Sequence, residues 1–277
     1  MKVSVIIAVY KDVEALHLIL KSLATQTYKD FEVVIAEDGN SSEIKDFLGF
    51  YLDTFGFKIV HTSQNDKGVR KSRSQNNGIR AASGNYLIFI DGDCLLYSNF
   101  IENHLLLSGK KYIVTGRRVN VGPIYSSLLR KKSISSQWLE KNFFRKYFAI
   151  KDDAKKERHT EEGFSIKPNG LVHKLMKTIR KKPFPLLGCN MSMYKAVILD
   201  INGFDANLGN LAIASDTDLE WRFRGLGYVV ISAKFMANQF HLYHERKEFE
   251  YNRGNDNLMN KNKSNKIYRC RNGIYRE

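Results

Sequence analysis

The sequence predicts an α/β fold: a mostly parallel, doubly wound central sheet flanked by helices, with a basic helical insertion. Two observations carry this. Apolar, β-branched runs alternate with segments whose apolar residues recur at helical spacing through the first hundred residues. The links between them are short, and repeated β-α-β units with short links build parallel sheets.

Taken in order, Val3–Tyr10 is the first strand run, and Asp12 is placed to cap a helix with the stripe Val13, Leu16, Leu20 and Leu23. Phe31–Ala36 reads as the second strand, followed by the polar turn Glu37-Asp38-Gly39-Asn40-Ser41-Ser42. The next helix carries Ile44, Phe47, Leu48 and Tyr51, and Lys58–His61 is a short third strand. A helix ending near Ala82 precedes Gly84 and the strand Tyr86–Ile90. Residues 124–182 change character. Ile124–Phe148 mixes Leu128, Leu129, Trp138, Phe143, Phe144 and Phe148 with Arg130-Lys131-Lys132, Lys141, Arg145 and Lys146, and Leu171–Lys182 is again basic and amphipathic. Order returns with Leu186–Tyr194, a helix at Lys195–Ile201 and the segment Asp216–Gly227. The tail from Glu245 is rich in Lys, Arg and Asn, and reads as a surface arm with few core residues.

The bulk properties narrow the class. At 277 residues and 43% hydrophobic content, a substantial core is available and wholesale disorder is excluded. Cys94, Cys189 and Cys270 are too few and too scattered for a disulfide scaffold or a zinc site, and they fit a reducing compartment. No signal peptide opens the chain, and no apolar run approaches the roughly 20 residues a spanning helix needs. The expectation is a cytoplasmic protein, soluble or at most peripheral at the inner face of the cell membrane. A net charge of +15 favours an anionic partner: nucleic acid, an acidic membrane surface or nucleotide diphosphates. No nucleic-acid recognition motif accompanies the charge, so no nucleic-acid partner is expected.

The most informative signature is Asp91-Gly92-Asp93, directly after the apolar strand Tyr86–Ile90. Residues i and i+2 of a strand share a face, so both carboxylates can address one point. Two hard oxygen donors at a strand's carboxyl end suit Mg²⁺ or Mn²⁺ with positions left for a phosphate. Taken alone, the tripeptide is equally a polar turn. The first strand ends in Ala8-Val9-Tyr10 and the second in Glu37-Asp38-Gly39, which a parallel sheet brings to the same edge. A Tyr ring to stack on a base and a carboxylate to accept from a base N–H would make a nucleoside pocket. Arg70, Lys71 and Arg73 either face a diphosphate or form an exposed basic helix face.

Together these segments resemble family 2 glycosyltransferases with the GT-A fold. The resemblance rests on Ser4–Tyr10, Ser22–Thr27, Phe31–Gly39 and the Asp-X-Asp. Gly68-Val69-Arg70, Gly188-Cys189-Asn190-Met191-Ser192 and His241-Leu242-Tyr243-His244 look like the bacterial chondroitin-polymerase and β-1,4-galactosyltransferase type of domain. It covers residues 1–110 and 186–247, and the order of the motifs is more specific than any one of them. The resemblance implies a single GT-A domain over 1–247. Its nucleotide-sugar-binding half is 1–110, the basic helical insertion 111–185, the acceptor and catalytic half 186–247, and the basic tail 248–277. It implies a nucleotide site of Ala8, Tyr10, Asp38, Arg70, Arg73 and Asp91, with Tyr10 stacking on uracil, Asp38 binding it and Asp91 meeting ribose and metal. Asp93 and His244 would complete the metal ligands, with His241, Asp218 and Asn190 in support and Asp216 as general base. A neutral imidazole is a good Mn²⁺ ligand and a poor Mg²⁺ one, so Mn²⁺ is preferred.

Three positions depart from the family pattern. Ser215 stands where a Glu is usual, Gly209–Ala214 replaces a Gly-Trp-Gly, and Gln75 precedes Asn76 where an Arg is usual. The first two line the acceptor site in the relatives, so acceptor identity does not carry over. The implied function is metal-dependent, inverting transfer of a hexose or N-acetylhexosamine from a UDP-sugar to a hydroxyl of a bacterial surface glycan or lipid-linked precursor. The alternative is a non-catalytic nucleotide-sugar-binding protein of the same fold. The basic, aromatic stretches would meet anionic headgroups or a lipid-linked acceptor.

Overall fold

The strand runs assemble into one large sheet and one small one. A computed structural model describes residues 1–51, 54–155, 159–179, 183–208, 212–245 and 253–276, without the side chains of 177–179, 212–215 and 253–256. The strands are β1 (Val3–Val9), β2 (Phe31–Glu37), β3 (Lys58–Thr62), β4 (Tyr86–Asp91), β5 (Cys94–Leu96), β6 (Tyr112–Thr115), β7 (Arg117–Asn120), β8 (Asn190–Tyr194), β9 (Val229–Ser232) and β10 (Asn238–His241). The helices are α1 (Val13–Ala24), α2 (Ser42–Tyr51), α3 (Lys71–Ala81), α4 (Phe100–Leu106), α5 (Pro123–Arg130), α6 (Ser136–Asp153), α7 (Leu171–Ile179), α8 (Lys195–Asp200), α9 (Ala212–Gly225) and α10 (Arg253–Ser264).

The large sheet runs β3-β2-β1-β4-β8-β6-β9 and is parallel except for β8, which is antiparallel to both β4 and β6. Val9 lies opposite Glu37 and Ala8 opposite Asp91, so β1, β2 and β4 end level with one another. Both faces of β1 are covered, which is why its sequence is a continuous apolar run rather than an alternating one. Val3, Val5, Ile7 and Val9 pack toward α1 and α2 with Leu16, Ile19, Leu20, Ile44 and Phe47. Ile6 joins Ile79 of α3, Val197 and Ile198 of α8, and Leu219 and Phe223 of α9 on the other side. Each fully buried side chain of this size contributes about 1.5–3 kcal/mol. Leu219 and Phe223 therefore fix α9 on the sheet. Asp12 caps α1 as the sequence implies, accepting from Ala15 N at 2.9 Å.

The small sheet, β5-β10-β7, stands beyond the ends of β1 and β4. β10 is antiparallel to β5, with His241 opposite Cys94, and Leu242 N donates to Asp93 O at 2.9 Å. This pairing draws the end of β10 to the Asp-X-Asp turn from 148 positions away in sequence.

Two expectations change. The stretch 111–185 is not wholly a helical insertion: β6 is a strand of the large sheet and β7 of the small one, and the helical part begins at Pro123. Both strands have only four residues, too short for a periodicity signal. The tail is also more than a surface arm. Cys270 and Ile274 are buried, and the Asn202 side chain donates to Cys270 O and Tyr275 O and accepts from Tyr275 N. The same turn accepts two bonds from α9, Arg222 Nη1 to Ile201 O at 3.0 Å and to Gly203 O at 2.9 Å. Among the described residues, no helix is long and apolar enough to cross a membrane.

Candidate active site

The level ends of β1, β2 and β4 open onto a cleft of about 510 Å³ whose lining includes Ala8, Tyr10, Asp38, Lys71, Asp91 and Asp93. Ala8 ends β1 with its carbonyl against the turn after β4. A Cβ on Gly92 would stand 2.8 Å from Ala8 O, so only glycine lets the two strands approach this closely here. Tyr10, half exposed at the mouth of the cleft, donates its hydroxyl to Asp66 at 3.2 Å. Asp38 is nearly buried and held firmly. Its N–H donates to Val9 O, and its carboxylate accepts from Gln64 Nε2 at 2.7 Å and from Arg70 N at 2.6 Å. The neighbouring Glu37 is structural, accepting from Ser41 N at 2.6 Å and lying 2.8 Å from His61 Nε2.

The two carboxylates of the Asp-X-Asp meet different partners. Asp91 Oδ1 lies 2.5 Å from Lys71 Nζ. Burial of Lys71 opposes its charge, but Asp91 first and Asp216 after it outweigh burial and raise the ammonium pKa above its ordinary value. Asp93 Oδ2 lies 3.2 Å from His241 Nε2 and 3.6 Å from His244 Nε2. Burial pushes the Asp93 carboxyl up; the hydrogen bond and charge of His241, with Cys94 and His244, hold it well below the usual carboxylate range. Candidate ligand atoms of Asp93, His241 and His244 all lie within 4.8 Å of one another. In an octahedron with bonds of 2.0–2.1 Å, adjacent donors are roughly 3 Å apart, so this spacing suits a divalent ion. The oxygen and two imidazole nitrogens fit Mn²⁺ better than Mg²⁺. Both histidines join the cluster, His241 the nearer, while Asp91 stays with Lys71.

Asp216 sits half-buried near the start of α9, where its Oδ2 accepts from Gly188 N at 2.9 Å. A Cβ on Gly188 would fall 2.2 Å from Asp216 Oδ1, so the contact requires glycine. Asp218 has another task. It is buried, with Arg222 Nε at 2.8 Å and Nη2 at 2.5 Å from its Oδ2. Asn190 is fully buried too, its Oδ1 facing His104 Nε2 and Gly116 N and its Nδ2 donating to Arg117 O and Ala237 O. The side chains of Asp218 and Asn190 thus hold the scaffold. The structure separates the basic run that the sequence left either beside a diphosphate or on an exposed helix face. Lys71 lines the cleft, whereas Arg70 and Arg73 line a different cavity. Residues 209–211, part of the departure from the acceptor pattern, lie outside the described residues, as do the side chains of 212–215, Ser215 included.

Three contributors escaped sequence reasoning. Gln64 braces Asp38 across the chain, with no local signal. Arg118 acts electrostatically on Asp91 and Asp93 from β7, a strand too short to be read. Arg130 lines the cleft and pairs with Asp12 at 2.7 Å and Glu14 at 3.1 Å, although its Arg-Lys-Lys run suggested an outward basic face.

The comparisons decide the family: the model of Glycosyl transferase family 2 matches residues 4–167. The chain belongs to that family. The chain is 27% identical over 204 residues to Glycosyltransferase GlyA of Streptococcus pneumoniae serotype 4, covering 74% of this chain and 26% of that protein. It is 34% identical over 101 residues to a cholesterol galactosyltransferase of Borreliella burgdorferi, covering 36% and 27%. The chain therefore spans about a quarter of the length of these two relatives. Among solved structures, it is similar to the mannosyltransferase PcManGT from Pyrobaculum calidifontis in complex with GDP-Man and Mn²⁺, with a TM-score of 0.57 and 14% identity over 88% of this chain and 57% of that one. GalNAc-T7 with UDP, GalNAc and Mn²⁺ aligns with a TM-score of 0.60 and 11% identity over 88% and 44%. These likenesses show the GT-A fold.

Proposed function

We propose that this glycosyltransferase is a metal-dependent, inverting enzyme that moves a hexose or N-acetylhexosamine from a UDP-sugar to a hydroxyl of a surface glycan or lipid-linked precursor. The observation that carries the reading is the convergence of Asp93, His241 and His244 at a cleft that also holds Asp38 and Tyr10. Tyr10 offers a ring for the uracil, and Asp38, held by Gln64 and Arg70, accepts from its N–H. Asp91 meets the ribose, with Lys71 adding positive charge on the diphosphate side. Asp93, His241 and His244 would hold Mn²⁺, which supplies neutralisation of the leaving diphosphate when bound. Asp216 takes the proton of the acceptor hydroxyl as its oxygen bonds to the anomeric carbon and the bond to the diphosphate oxygen breaks. One displacement inverts that carbon.

Support for a membrane-proximal acceptor comes from α6 and α7. Phe144 and Phe148 are 81% and 80% exposed beside Arg145 and Lys146, and Leu171 of α7 is 84% exposed. Aromatic and basic residues on one helix suit an anionic bilayer surface. Equal, weak binding to vesicles with and without anionic lipid would remove this part of the reading.

The catalytic part is tested by screening UDP-sugars for Mn²⁺-dependent hydrolysis and by Asp93→Ala. The variant is expected to fold and to lose Mn²⁺-dependent UDP binding by at least about 100-fold, since even outer-shell partners of a metal cost 10–100-fold. Unchanged UDP binding overturns the metal assignment. UDP binding without turnover of any donor would leave a nucleotide-sugar binder in its place.

A further inference from the structure

Helix α3 borders two spaces. Lys71 and Ser74 line the donor cleft, and Arg70, Arg73, Asn76 and Arg80, spaced three and four apart, line a second cavity of about 390 Å³. The far wall is the C-terminal hairpin, which contributes Asn272 and Arg276 and is closed by the bridge between those two residues. Four guanidinium groups thus line one cavity, and among the described residues no carboxylate lines it with them.

The guanidiniums of Arg70 and Arg80 spend their hydrogen bonds on uncharged groups. Arg70 Nη2 donates to Asn65 O, and Arg80 donates to Ile274 O and Asn77 Oδ1. Arg70 Nε is shielded from solvent and bonded to nothing among the described residues. Asp66 acts on Arg70 from outside the cavity, but its carboxylate is already 2.8 Å from Lys11 Nζ. Among the described residues, positive charge is therefore held together here without a counter-ion of its own. Planar guanidiniums present paired N–H groups matched to phosphate oxygens, and bidentate bonds of this kind are among the strongest polar contacts.

We infer that this cavity is a second, metal-independent site for a phosphate or diphosphate group, separate from the donor cleft. The width of one helix, about 10–12 Å with its side chains, divides the two spaces. A ligand here engages the face of α3 opposite Lys71 and does not compete for Asp93, His241 or His244. The group can arrive on a lipid-linked diphosphate or on a soluble phosphoester; both present the same oxygens.

The test uses the full chain in chelator at low ionic strength, with inorganic pyrophosphate titrated calorimetrically. Saturable binding is expected in the wild type and equally in Asp93→Ala. The double variant Arg73→Gln/Arg276→Gln, at two exposed positions, is expected to bind roughly tenfold or more weakly, the factor for loss of charge-assisted hydrogen bonds. Binding that the arginine variant keeps at wild-type strength places the anion elsewhere and overturns the inference, as does absence of binding altogether. Mn²⁺-dependent UDP binding, measured on the same samples, reports on the donor cleft separately. The source is assigned by a second arm, neutral vesicles carrying a prenyl diphosphate. Recruitment that the arginine variant loses supports the site with a lipid-borne group, and pyrophosphate binding without recruitment supports it with a soluble one.

Discussion

The edge formed by β1, β2 and β4 and the first turns of α9 both present aspartates to the cleft region, yet they fix them in different ways. At the strand edge, register does the work. Ala8, Asp38 and Asp91 come together because three parallel strands end level, and each carboxylate is braced by a backbone or side-chain donor. On α9, two aspartates two residues apart have opposite surroundings. Asp216 is half-buried against Gly188, while Asp218 is buried on Arg222. Proximity in sequence says little about which carboxylate can meet a substrate; burial and partner decide it.

Exchanging the two aspartates' fates is the sharpest way to break this contrast. Asp216→Asn is expected to lower transfer by roughly 10²–10⁴-fold, the usual weight of a general base, while UDP affinity and melting temperature stay at wild-type values. A turnover rate within a few-fold of wild type in a defined donor–acceptor assay would falsify the base assignment. Asp218→Ala should do the reverse in kind. Leaving Arg222 buried without its partner costs about 3–5 kcal/mol of folding free energy, read as an earlier urea midpoint. A stable Asp218→Ala protein would show that the pair is dispensable. Gly188→Ala should fall between them. A methyl group against Asp216 moves the carboxylate, and displacement of about 1 Å can cost as much as 10²-fold in rate. Donor KM is expected to be unchanged, and a raised KM with normal kcat would place the effect at the donor instead.

A pH-graded effect sharpens the scaffold side of the comparison. His104, buried between Ser192 and Asn190, has its imidazole pKa pushed down to about 3 by burial. Below its ordinary value of 6.5 the unfolded chain takes a proton that the folded chain refuses. The stability held above pH 6.5 is therefore lost as the pH falls toward 3, by about 1.4 kcal/mol per unit. Urea melts of wild type and His104→Gln between those limits check it; parallel curves would mean that His104 is not the source.

Much of this was legible because it is local. β1, β2 and β4 announce themselves as β-branched runs, and the Asp-X-Asp follows directly from the last of them. α1 carries its own cap in Asp12. What stayed hidden depends on contacts distant in sequence. β6 and β7 are four-residue strands that exist because β8, β9 and β10 supply their neighbours. The basic character of Arg130 predicts an outward side chain, but two acids on α1 turn it toward the cleft. Arg70 and Lys71 are adjacent in sequence, and the turn of α3 sends them to separate spaces.

Asn202 gives the carboxyl-terminal segment a property its composition hides. The turn it occupies receives Arg222 from α9 on one side and the backbone of residues 270–275 on the other. In hydrogen exchange, such a shared anchor makes two segments open as one unit rather than fray independently. The amides of Ile274 and Tyr275, both bonded to Asn202, should then exchange at the pace of α9. Residues 270–275 then behave as a rivet for α9.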